Sequence, residues 1–511
     1  MSEPRTVVVL AAGEGKRMRS ALPKVLHPLL GRTLLGHVLH AIEPLGAQRQ
    51  VVVVGHGAEQ VTAYLAEVAP SAETVLQADQ RGTGHAVRTA LDAIPDVTGT
   101  VVVVYGDMPM LRSVTLTAML DAHEQAGTVA TVLTARVDDP FGLGRIVRDD
   151  HGGVAAIVEH RDATPEQLAI NEINTGVYAF DVAALRDALG KLTGANDQGE
   201  EYLTDVIDLL TSTGRPVVAH TVTDAEEGLG ANDRAQLAVL AARLRDRTNT
   251  DLMRSGVSML DPATTWIDVT VRVEPDATIE PNTQLRGATS VAAGALVGPD
   301  TTLTNVVVGA GAQVIRTHGS DSMIGAGASV GPFAYLRPAT DLADSGKIGT
   351  FVETKNARIG KGSKVPHLTY VGDATIGRDV NIGAATIFVN YDGVHKHHTN
   401  VEDGVFVGCD TTLVAPVTLH AGAYIAAGSS INEDVPSGAL GIARARQRNI
   451  DGWVERKRPG TKAAKAAAAA ADERAARLAA ASLATADLAM DNAAAEAIAE
   501  TELVERDGSE P

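Results

Sequence analysis

Residues 401–431 read VEDGVFVGCDTTLVAPVTLHAGAYIAAGSSI and carry an aliphatic side chain at every sixth position. A period of six fits neither an α-helix, which repeats every ~3.6 residues, nor the two-residue alternation of a single strand. It is the hexapeptide repeat of a parallel β-helix, in which one aliphatic side chain per repeat points inward. The inward positions are predicted to be Val401, Val407, Leu413, Leu419, Ile425 and Ile431.

The same spacing extends towards the N-terminus as far as residue 267. Glycines follow several inward positions, as at Gly325, Gly360 and Gly408, where a coil would turn a corner. We therefore predict a left-handed parallel β-helix over residues 261–450. Its further in-phase positions are Ile267, Val273, Ile279, Leu285, Val291, Val297, Leu303, Ile324, Val330, Leu336, Ile359, Val365, Val371, Ile376, Ile382 and Phe388.

The first half of the chain has a different pattern. Residues 7–10, 51–54 and 101–104 are short aliphatic runs, and apolar helical stretches such as 34–42 and 86–94 lie between them. This alternation predicts a Rossmann-like α/β domain with a parallel sheet that is buried on both faces. Ligands of such sheets bind at the carboxyl ends of the strands. The loops after the three runs are therefore the candidate binding site.

Four segments are expected in a chain of 511 residues, which is too long for one domain. We predict an α/β domain over 1–232, a linker over 233–260, the β-helix over 261–450 and an Ala-rich extension over 451–511. The linker contains an amphipathic helix over 233–254. The extension is expected to be disordered or loosely helical, with a partner-binding helix as the alternative.

Composition limits the partners and the compartment. The net charge of −19 argues against general binding of nucleic acid or of an anionic membrane. Cys409 is the only cysteine, so no internal disulfide is expected and a reducing compartment is favoured. The apolar run at 6–12 is too short for a membrane or signal segment. These features predict a cytoplasmic protein.

A Gly-rich turn follows the first aliphatic run, within LAAGEGKRMRSALPK at 10–24. Backbone N–H groups at such a turn can face an anion, and Arg17 and Lys24 add positive charge. Met18 stands where a dinucleotide fingerprint has its third glycine, and no P-loop Lys-Ser/Thr pair follows. The turn alone is equally compatible with a plain strand-to-helix connection. Asp107, just past the third run, could hold Mg²⁺ or only form a turn.

This string resembles the sugar-nucleotide transferases, together with QADQRGTGHA at 77–86, YGD at 105–107, GLGR at 142–145, IVE at 157–159 and INTG at 173–176. With the hexapeptide repeats, residues 5–458 are similar to a bacterial family of bifunctional N-acetylglucosamine-1-phosphate uridylyltransferases and glucosamine-1-phosphate acetyltransferases. The resemblance implies acetyl transfer from acetyl-CoA to glucosamine-1-phosphate. It then implies Mg²⁺-dependent uridylyl transfer from UTP, which yields UDP-N-acetylglucosamine and pyrophosphate.

The resemblance also implies the residues of the uridylyltransferase site. Mg²⁺ would bind Asp107 and Asn232, while Arg17 and Lys24 would stabilise negative charge. Lys16 departs from the family, which usually has a small hydroxyl residue there. The implied nucleotide- and sugar-binding residues are Leu10, Ala11, Ala12, Gly13, Lys24, Gln77, Gly82, Thr83, Tyr105, Gly106, Asp107, Gly144, Glu159, Asn174 and Asn232.

In the acetyltransferase site, the resemblance implies that His367 is the general base, a role that suits a group titrating near neutrality. Glu353 is a candidate orienting partner. Cys409 replaces the usual serine, and a covalent cysteine mechanism is an alternative that we do not favour. The turn at 383–386 is also less glycine-rich. Arg337, Lys355, Tyr370 and Asn381 would bind glucosamine-1-phosphate; Ala384, Asn390, Tyr391, Cys409, Ala427 and Arg444 would bind acetyl-CoA.

Family members form homotrimers, so we expect a homotrimer with acetyl-transfer sites between chains. Two other hypotheses stay open at this point: a β-helix that serves only trimerisation or regulation, and a non-enzymatic nucleotide-sugar sensor or scaffold. The cluster of His395, His397 and His398 could bind a metal, but a solvated loop is favoured.

Overall fold

The computed structural model describes residues 4–193 and 199–506, with side chains of the last helix described up to 496. Positions 1–3 and 194–198 of the predicted α/β domain, and 507–511 of the predicted extension, lie outside the described residues. Two compact units are present: one runs to Ala443 and the other begins at Arg444.

The N-terminal domain is built on a mixed sheet with the strand order β11-β7-β10-β6-β1-β4-β5. A hairpin of β8 and β9 extends from β10, and β2 and β3 form a separate small hairpin. The strands are β1 (Arg5–Ala11), β2 (Pro28–Leu29), β3 (Arg32–Thr33), β4 (Arg49–Val54), β5 (Glu73–Leu76), β6 (Thr100–Tyr105), β7 (Ala130–Arg136), β8 (Arg145–Arg148), β9 (Val154–Val158), β10 (Glu172–Asp181) and β11 (Val217–Thr221).

Helices cover both faces of this sheet. They are α1 (Leu34–Ile42), α2 (Ala58–Val68), α3 (Thr83–Ala93), α4 (Ser113–Ala126), α5 (Pro165–Leu168), α6 (Val182–Leu189) and α7 (Asp205–Ser212), with short 3-10 turns at Lys16–Met18, Lys24–Leu26, Glu43–Leu45 and Ala225–Gly228.

The three aliphatic runs form the parallel strands β1, β4 and β6, as the sequence predicts. Alternate side chains of each strand enter two different cores, one on either side of the sheet. β10 differs from the all-parallel expectation, because it pairs antiparallel with both β6 and β7. After β7 the chain forms the β8–β9 hairpin and returns beside β7, without the crossover helix that a parallel neighbour requires.

Helix α8 (Arg234–Arg254) is the predicted linker helix, and the side chain of Asp233 caps its first turn. Leu240 and Leu244 on one side of it pack in a core with Leu34 of α1. Asn249 on the same helix donates from Nδ2 to the carbonyl oxygens of Pro262 and Thr265, at 2.8 Å each. These contacts join the N-terminal domain to the start of the β-helix.

The β-helix follows and confirms the prediction from the six-residue period. Parallel pairs such as Ile267 with Leu285, and Leu285 with Leu303, place each predicted inward residue over the one in the next coil. These inward residues form one continuous core; Val273 is only partly buried and packs against it. The period thus directly encodes the stacking of the coils.

The coil strands form two large sheets. An 11-stranded sheet makes one face of the left-handed prism, and a 15-stranded sheet bends around a corner to make the other two. The first contains β12 (Ser258–Met259), β15 (Thr278–Ile279), β18 (Leu296–Val297), β20 (Gln313–Val314), β22 (Ser329–Val330), β25 (Lys347–Thr350), β27 (Lys364–His367), β29 (Asn381–Ile382), β32 (Phe406–Val407), β35 (Tyr424–Ile425) and β37 (Leu440–Gly441).

The larger sheet bends where Asn305, Asp321, Asn356 and Asp373 adopt positive φ angles of 45–55°. Asn and Asp tolerate this conformation better than other non-glycine residues. The strands of this sheet are β13 (Trp266–Ile267), β14 (Arg272–Val273), β16 (Gln284–Arg286), β17 (Ser290–Val291), β19 (Thr302–Val308), β21 (Thr317–Ile324), β23 (Ala334–Leu336), β24 (Thr340–Leu342), β26 (Glu353–Ile359), β28 (Tyr370–Ile376), β30 (Ile387–Val389), β31 (Thr399–Val401), β33 (Thr412–Val414), β34 (Val417–Leu419) and β36 (Ser430–Ile431).

The second unit contains a short helix, α9 (Trp453–Lys457), and a long one, α10 (Lys462–Arg506). The extension over 451–511, which we expected to be disordered or loosely helical, thus contains two helices, and its Ala-rich part lies in α10. Among the residues that were described, none of the helices combines the length and apolarity that a membrane span requires.

Candidate active sites

The first site is a cavity of about 520 Å³ at the carboxyl edge of the N-terminal sheet. β1, β6 and β10 supply residues to it from their ends, and the loop after β5 closes one side. Most residues predicted for the uridylyltransferase site line this one cavity: Leu10, Ala11, Ala12, Gly13, Lys24, Gln77, Gly82, Thr83, Tyr105, Asp107, Gly144, Glu159, Asn174 and Asn232.

Two predicted residues lie beside the cavity and not on its wall. Gly106 donates its N–H to the carbonyl oxygen of Leu10 at 2.9 Å, which holds the ends of β1 and β6 together. Arg17 is exposed and lines a smaller adjoining space of about 240 Å³, together with Lys24 and Asn232. Lys24 and Asn232 line both spaces, so they connect them.

Lys24, Asp107 and Asn232 meet at one point of the cavity. The Lys24 ammonium contacts Oδ2 of Asp107 and donates to Oδ1 of Asn232 at 3.0 Å. A carboxylate oxygen and an amide oxygen are therefore directed at the same positive charge. Hard oxygen donors of this kind are the ligands that Mg²⁺ prefers, so this pair of side chains fits a magnesium ion.

The Gly-rich turn owes its shape to Gly15. Its φ of +63° is left-handed, and a Cβ there would lie 2.7 Å from Cβ of Lys24. Only glycine meets both conditions without strain. The turn thus packs closely against the residue that supplies the ammonium group.

The opposite end of the cavity holds buried polar groups. Burial raises the pKa of Glu159, and Thr204 donates a hydrogen bond to its carboxylate at 3.3 Å. Asn174 donates from Nδ2 to the Tyr178 hydroxyl at 2.7 Å. Burial also raises the pKa of Tyr105, which keeps its hydroxyl protonated. This end can hydrogen-bond a polyhydroxylated ligand.

The second site is a polar cluster on the outer surface of the β-helix. Nη1 of Arg337 donates to Oε1 of Glu353 at 2.9 Å, and Lys355 faces Asp373 at 3.8 Å. Asn390 donates from Nδ2 to Asp373 at 2.5 Å. Tyr370 stacks in register with Glu353 of the preceding coil. Four residues predicted to bind substrates therefore lie on neighbouring coils of one face: Arg337, Lys355, Tyr370 and Asn390.

His367 lies at another corner of the prism, at the end of β27, and its side chain is exposed. Its carbonyl oxygen accepts from the N–H of Ala385 at 3.2 Å in the next coil. Bonds of the same kind link the following coils at this corner. The Ala384 carbonyl accepts from the N–H of Asp410, and the Cys409 carbonyl accepts from the N–H of Gly428. Ala384, Cys409 and Ala427 thus follow His367 along one edge.

Comparison with known proteins identifies the family to which the chain belongs. Residues 7–208 match the family of MobA-like NTP transferase domains. The bifunctional protein GlmU of Corynebacterium glutamicum is 55% identical over 468 residues, which are 91% of this chain and 96% of that protein. Proteins of the same name from Kineococcus radiotolerans and Streptomyces avermitilis are 58% and 57% identical, over 92% and 91% of this chain and 96% and 97% of their own lengths. The chain belongs to the GlmU family.

Membership of the GlmU family confirms the resemblance seen in the sequence and makes the chain an enzyme with uridylyltransferase and acetyltransferase activities. The sensor or scaffold hypothesis is therefore set aside. The individual roles of the predicted residues stay predictions, since the comparisons concern whole chains.

Some predicted residues of the GlmU-family acetyltransferase site lie apart from the cluster. Asn381 lies in β29, on the 11-stranded sheet, whereas Tyr370 lies on the other sheet. The hydroxyl of Tyr391 donates to the carbonyl of Gly393 at 2.6 Å, within its own loop. Arg444 begins the second unit. The site is thus distributed over two faces of one prism.

The departures from the GlmU-family pattern are all at the surface or at a corner. Lys16 is exposed and pairs with Glu14 at 2.8 Å. Cys409 is exposed. Ala385, in the less glycine-rich turn, has a φ of +59°, a conformation that glycine would adopt more easily.

Sequence reasoning missed Lys396 and Gln80. Lys396 projects from the loop after Asn390, and the neighbouring Lys355 ammonium lowers its pKa. Two ammonium groups so close together favour an anionic ligand. Gln80 lines the first cavity and donates to the Ala12 carbonyl at 2.7 Å. No local motif marks Lys396, whereas Gln80 lies within the string at 77–86 that carries the family resemblance.

The three histidines of the same loop have separate environments. His397 contacts Oδ2 of Asp392 at 2.7 Å, and His398 contacts the Thr375 hydroxyl at 2.9 Å. Within the described residues, no group of three or more His, Cys, Asp or Glu side chains is arranged to hold a metal ion.

Proposed function

We propose that the N-terminal cavity transfers a uridylyl group from UTP to N-acetylglucosamine-1-phosphate, and that the β-helix first makes this sugar phosphate by acetylating glucosamine-1-phosphate. The product, UDP-N-acetylglucosamine, would supply cell-wall synthesis. The observation that carries the proposal is the meeting of Lys24, Asp107 and Asn232 in a cavity beside a Gly-rich turn, since this arrangement suits the phosphates of a nucleotide.

In uridylyl transfer, a phosphate oxygen of the sugar phosphate attacks the α-phosphorus of UTP. The bond from that phosphorus to the β-phosphate oxygen breaks, and pyrophosphate leaves. Lys24 and the exposed Arg17 stabilise the negative charge that develops on the triphosphate. Mg²⁺, held by Asp107 and Asn232, would supply further charge neutralisation. Gln77 and Gly82 contact the base, while Glu159 and Asn174 bind the sugar.

In acetyl transfer, the amine of glucosamine-1-phosphate attacks the thioester carbonyl of acetyl-CoA. The C–S bond breaks, and CoA leaves as a thiol after protonation. His367 accepts the proton that the amine loses. Arg337, Lys355 and Lys396 bind the phosphate, which suits the excess of positive charge at that corner. Acetyl-CoA lies along the edge formed by Ala384, Cys409 and Ala427, with Asn390 and Tyr391 as further contacts.

A homotrimer would complete this second site. The sugar-phosphate residues occupy two faces of one prism, because Asn381 lies on a different sheet from Tyr370. A neighbouring prism that packs on these faces could bring both sets to one substrate. We therefore propose acetyl-transfer sites between subunits. The single cysteine and the use of UTP and acetyl-CoA support a cytoplasmic location.

The direct experiment supplies the full-length protein with glucosamine-1-phosphate, acetyl-CoA, UTP and Mg²⁺, and follows CoA and pyrophosphate separately. We expect CoA to appear first and without UTP, and pyrophosphate to require prior acetylation. Pyrophosphate release from added N-acetylglucosamine-1-phosphate, without any release of CoA from glucosamine-1-phosphate, would reduce the β-helix to a trimerising or regulatory module.

A further inference from the structure

A second cavity, of about 570 Å³, lies where the N-terminal domain meets α8 and the first coils of the β-helix. α1, the segment 109–114, α8 and the strand-flanking residues Val269 and Val271 surround it. None of the residues described on its wall lines the nucleotide cavity. Its volume lies within the range of small-molecule sites, roughly 300–1,000 Å³.

Positive charge dominates the polar part of its wall. Arg32, Arg112 and Arg247 line the cavity, and Asp251 is the only carboxylate among the described lining residues. Since these three guanidinium groups stay charged at any physiological pH, the wall has more positive than negative charge.

The protein neutralises these arginines only in part. Nη2 of Arg112 faces Oδ2 of Asp224 at 3.4 Å, a long contact. Arg247 donates from Nη1 to the carbonyl oxygen of Met110 at 2.7 Å, and the carboxylates of Glu227, Asp224 and Asp251 attract its charge without a direct ion pair among the described residues. Arg32 is half-buried; Glu43 attracts its charge, but no ion pair or side-chain hydrogen bond holds the guanidinium within the described parts of the chain. A half-buried guanidinium without a partner is costly unless a ligand supplies one.

His37 is also affected by the positive charge of this cavity. It lies in the cavity wall, is buried, and contacts the Leu29 carbonyl at 2.7 Å through Nε2. Burial lowers the pKa of His37 to about 4, and the charges of Arg32 and Arg247 contribute to this shift. The imidazole is therefore neutral at physiological pH and adds no charge of its own to the cavity wall.

The rest of the wall is apolar. Ala41, Leu111, Leu244, Leu252 and Val271 contribute side chains to it. We propose that this cavity binds a small organic phosphate, whose phosphate group lies against Arg32 and Arg247 and whose apolar portion lies against the α8 leucines. Arginine binds phosphate through paired N–H donors, and a phosphate monoester has three terminal oxygens, so it can accept from two guanidinium groups at once.

Because α1 belongs to the N-terminal domain and Val271 to the first coils of the β-helix, the ligand would contact both transferase domains. A ligand that binds only the folded state also stabilises it, by an amount that grows with the logarithm of its concentration. Occupancy would therefore fix the junction between the two domains.

Phenyl phosphate is a suitable probe, with benzyl alcohol as its neutral counterpart. We expect calorimetric titration of the full-length protein to show a site for phenyl phosphate that Arg32→Gln weakens about tenfold, the loss expected for one charge-assisted contact. Benzyl alcohol should not bind this site. Binding of phenyl phosphate at the two transferase sites is common to both proteins, so the difference between the titrations isolates the cavity.

Arg136→Gln is the matched control, since it removes the same charge at an exposed position outside the cavity wall. Among the described residues, the Arg32 side chain has no hydrogen bond or ion pair to lose, so both transferase activities should be retained in Arg32→Gln and verify its fold. Equal affinity of the wild type and Arg32→Gln for phenyl phosphate would overturn the proposal, as would equal weakening by Arg136→Gln.

Discussion

At the scale of single residues, the positions that carry chemistry divide into those marked by a local motif and those created by the fold. Gly15 and Lys24 belong to one recognisable string, and their packing against each other explains why the string is constrained. Lys396 reaches Lys355 only because a loop and a neighbouring coil meet. No sequence pattern at either lysine predicts that approach, since they are 41 positions apart.

Cys409 stands where the family usually has a serine, and replacing it with serine shows what the thiol changes in acetyl transfer. A thiol is a weaker hydrogen-bond donor than a hydroxyl. We expect Cys409→Ser to retain acetyl transfer and to lower the KM for acetyl-CoA by about fivefold, the value of one ordinary hydrogen bond. Steady-state kinetics with CoA release as the signal would measure it. Loss of acetyl transfer in Cys409→Ser would instead support a covalent cysteine mechanism.

Because of His37, the free energy of unfolding should depend on pH. Its pKa is lowered from 6.5 to about 4 in the folded protein, mainly by burial. Below pH 6.5 the unfolded chain therefore binds a proton that the folded chain does not. The contribution of His37 is complete above pH 6.5 and is lost as the pH falls towards 4, for a total of about 3 kcal/mol.

Thermal unfolding of wild type and His37→Gln between pH 7 and pH 4 checks this prediction, with exposed His40→Gln on the same helix as the control. The midpoint should fall less steeply with acidity in His37→Gln than in the other two proteins. Identical slopes in all three would contradict the assignment.

At the scale of elements, sequence periodicity predicts the repeated coils and the buried strands, but it does not predict whether a strand runs parallel or antiparallel to its neighbours. The six-residue period fixes the inward residues of the β-helix, because each coil repeats the one below it. The aliphatic runs likewise predict β1, β4 and β6. The antiparallel direction of β10 has no such signal, since a buried strand has the same composition in either direction. The positive φ of Asp373 at the sheet bend is also invisible without the stacked coil beside it.

The inward column of the β-helix should carry its stability. Leu285 is fully buried between coils, whereas the adjacent Gln284 points outward. Leu285→Ala should destabilise the protein by about 2–5 kcal/mol, from lost burial and the cavity that remains. Gln284→Ala should change stability by less than about 0.5 kcal/mol. Urea unfolding measures both; similar losses in the two variants would contradict the inward assignment.

At the scale of the whole molecule, the two activities should depend differently on assembly. The nucleotide cavity is complete within one chain, whereas the acetyl-transfer residues occupy two faces of the prism. Dilution of the proposed homotrimer to monomers should therefore abolish acetyl transfer before uridylyl transfer. Activity assays over a dilution series, with mass photometry of the same samples, would follow this; parallel loss of both activities would argue against sites shared between subunits.

The most direct test of the account compares His367→Ala with Asp107→Ala, with CoA and pyrophosphate release measured separately on each folded protein. His367→Ala should lose acetyl transfer by about 10²–10⁴-fold and keep uridylyl transfer near the wild-type rate. Asp107→Ala should do the reverse, because Asp107 belongs only to the N-terminal cavity. If either substitution silenced both reactions in a protein that keeps its fold and assembly, the two chemistries would not be physically separate, and the account would be wrong.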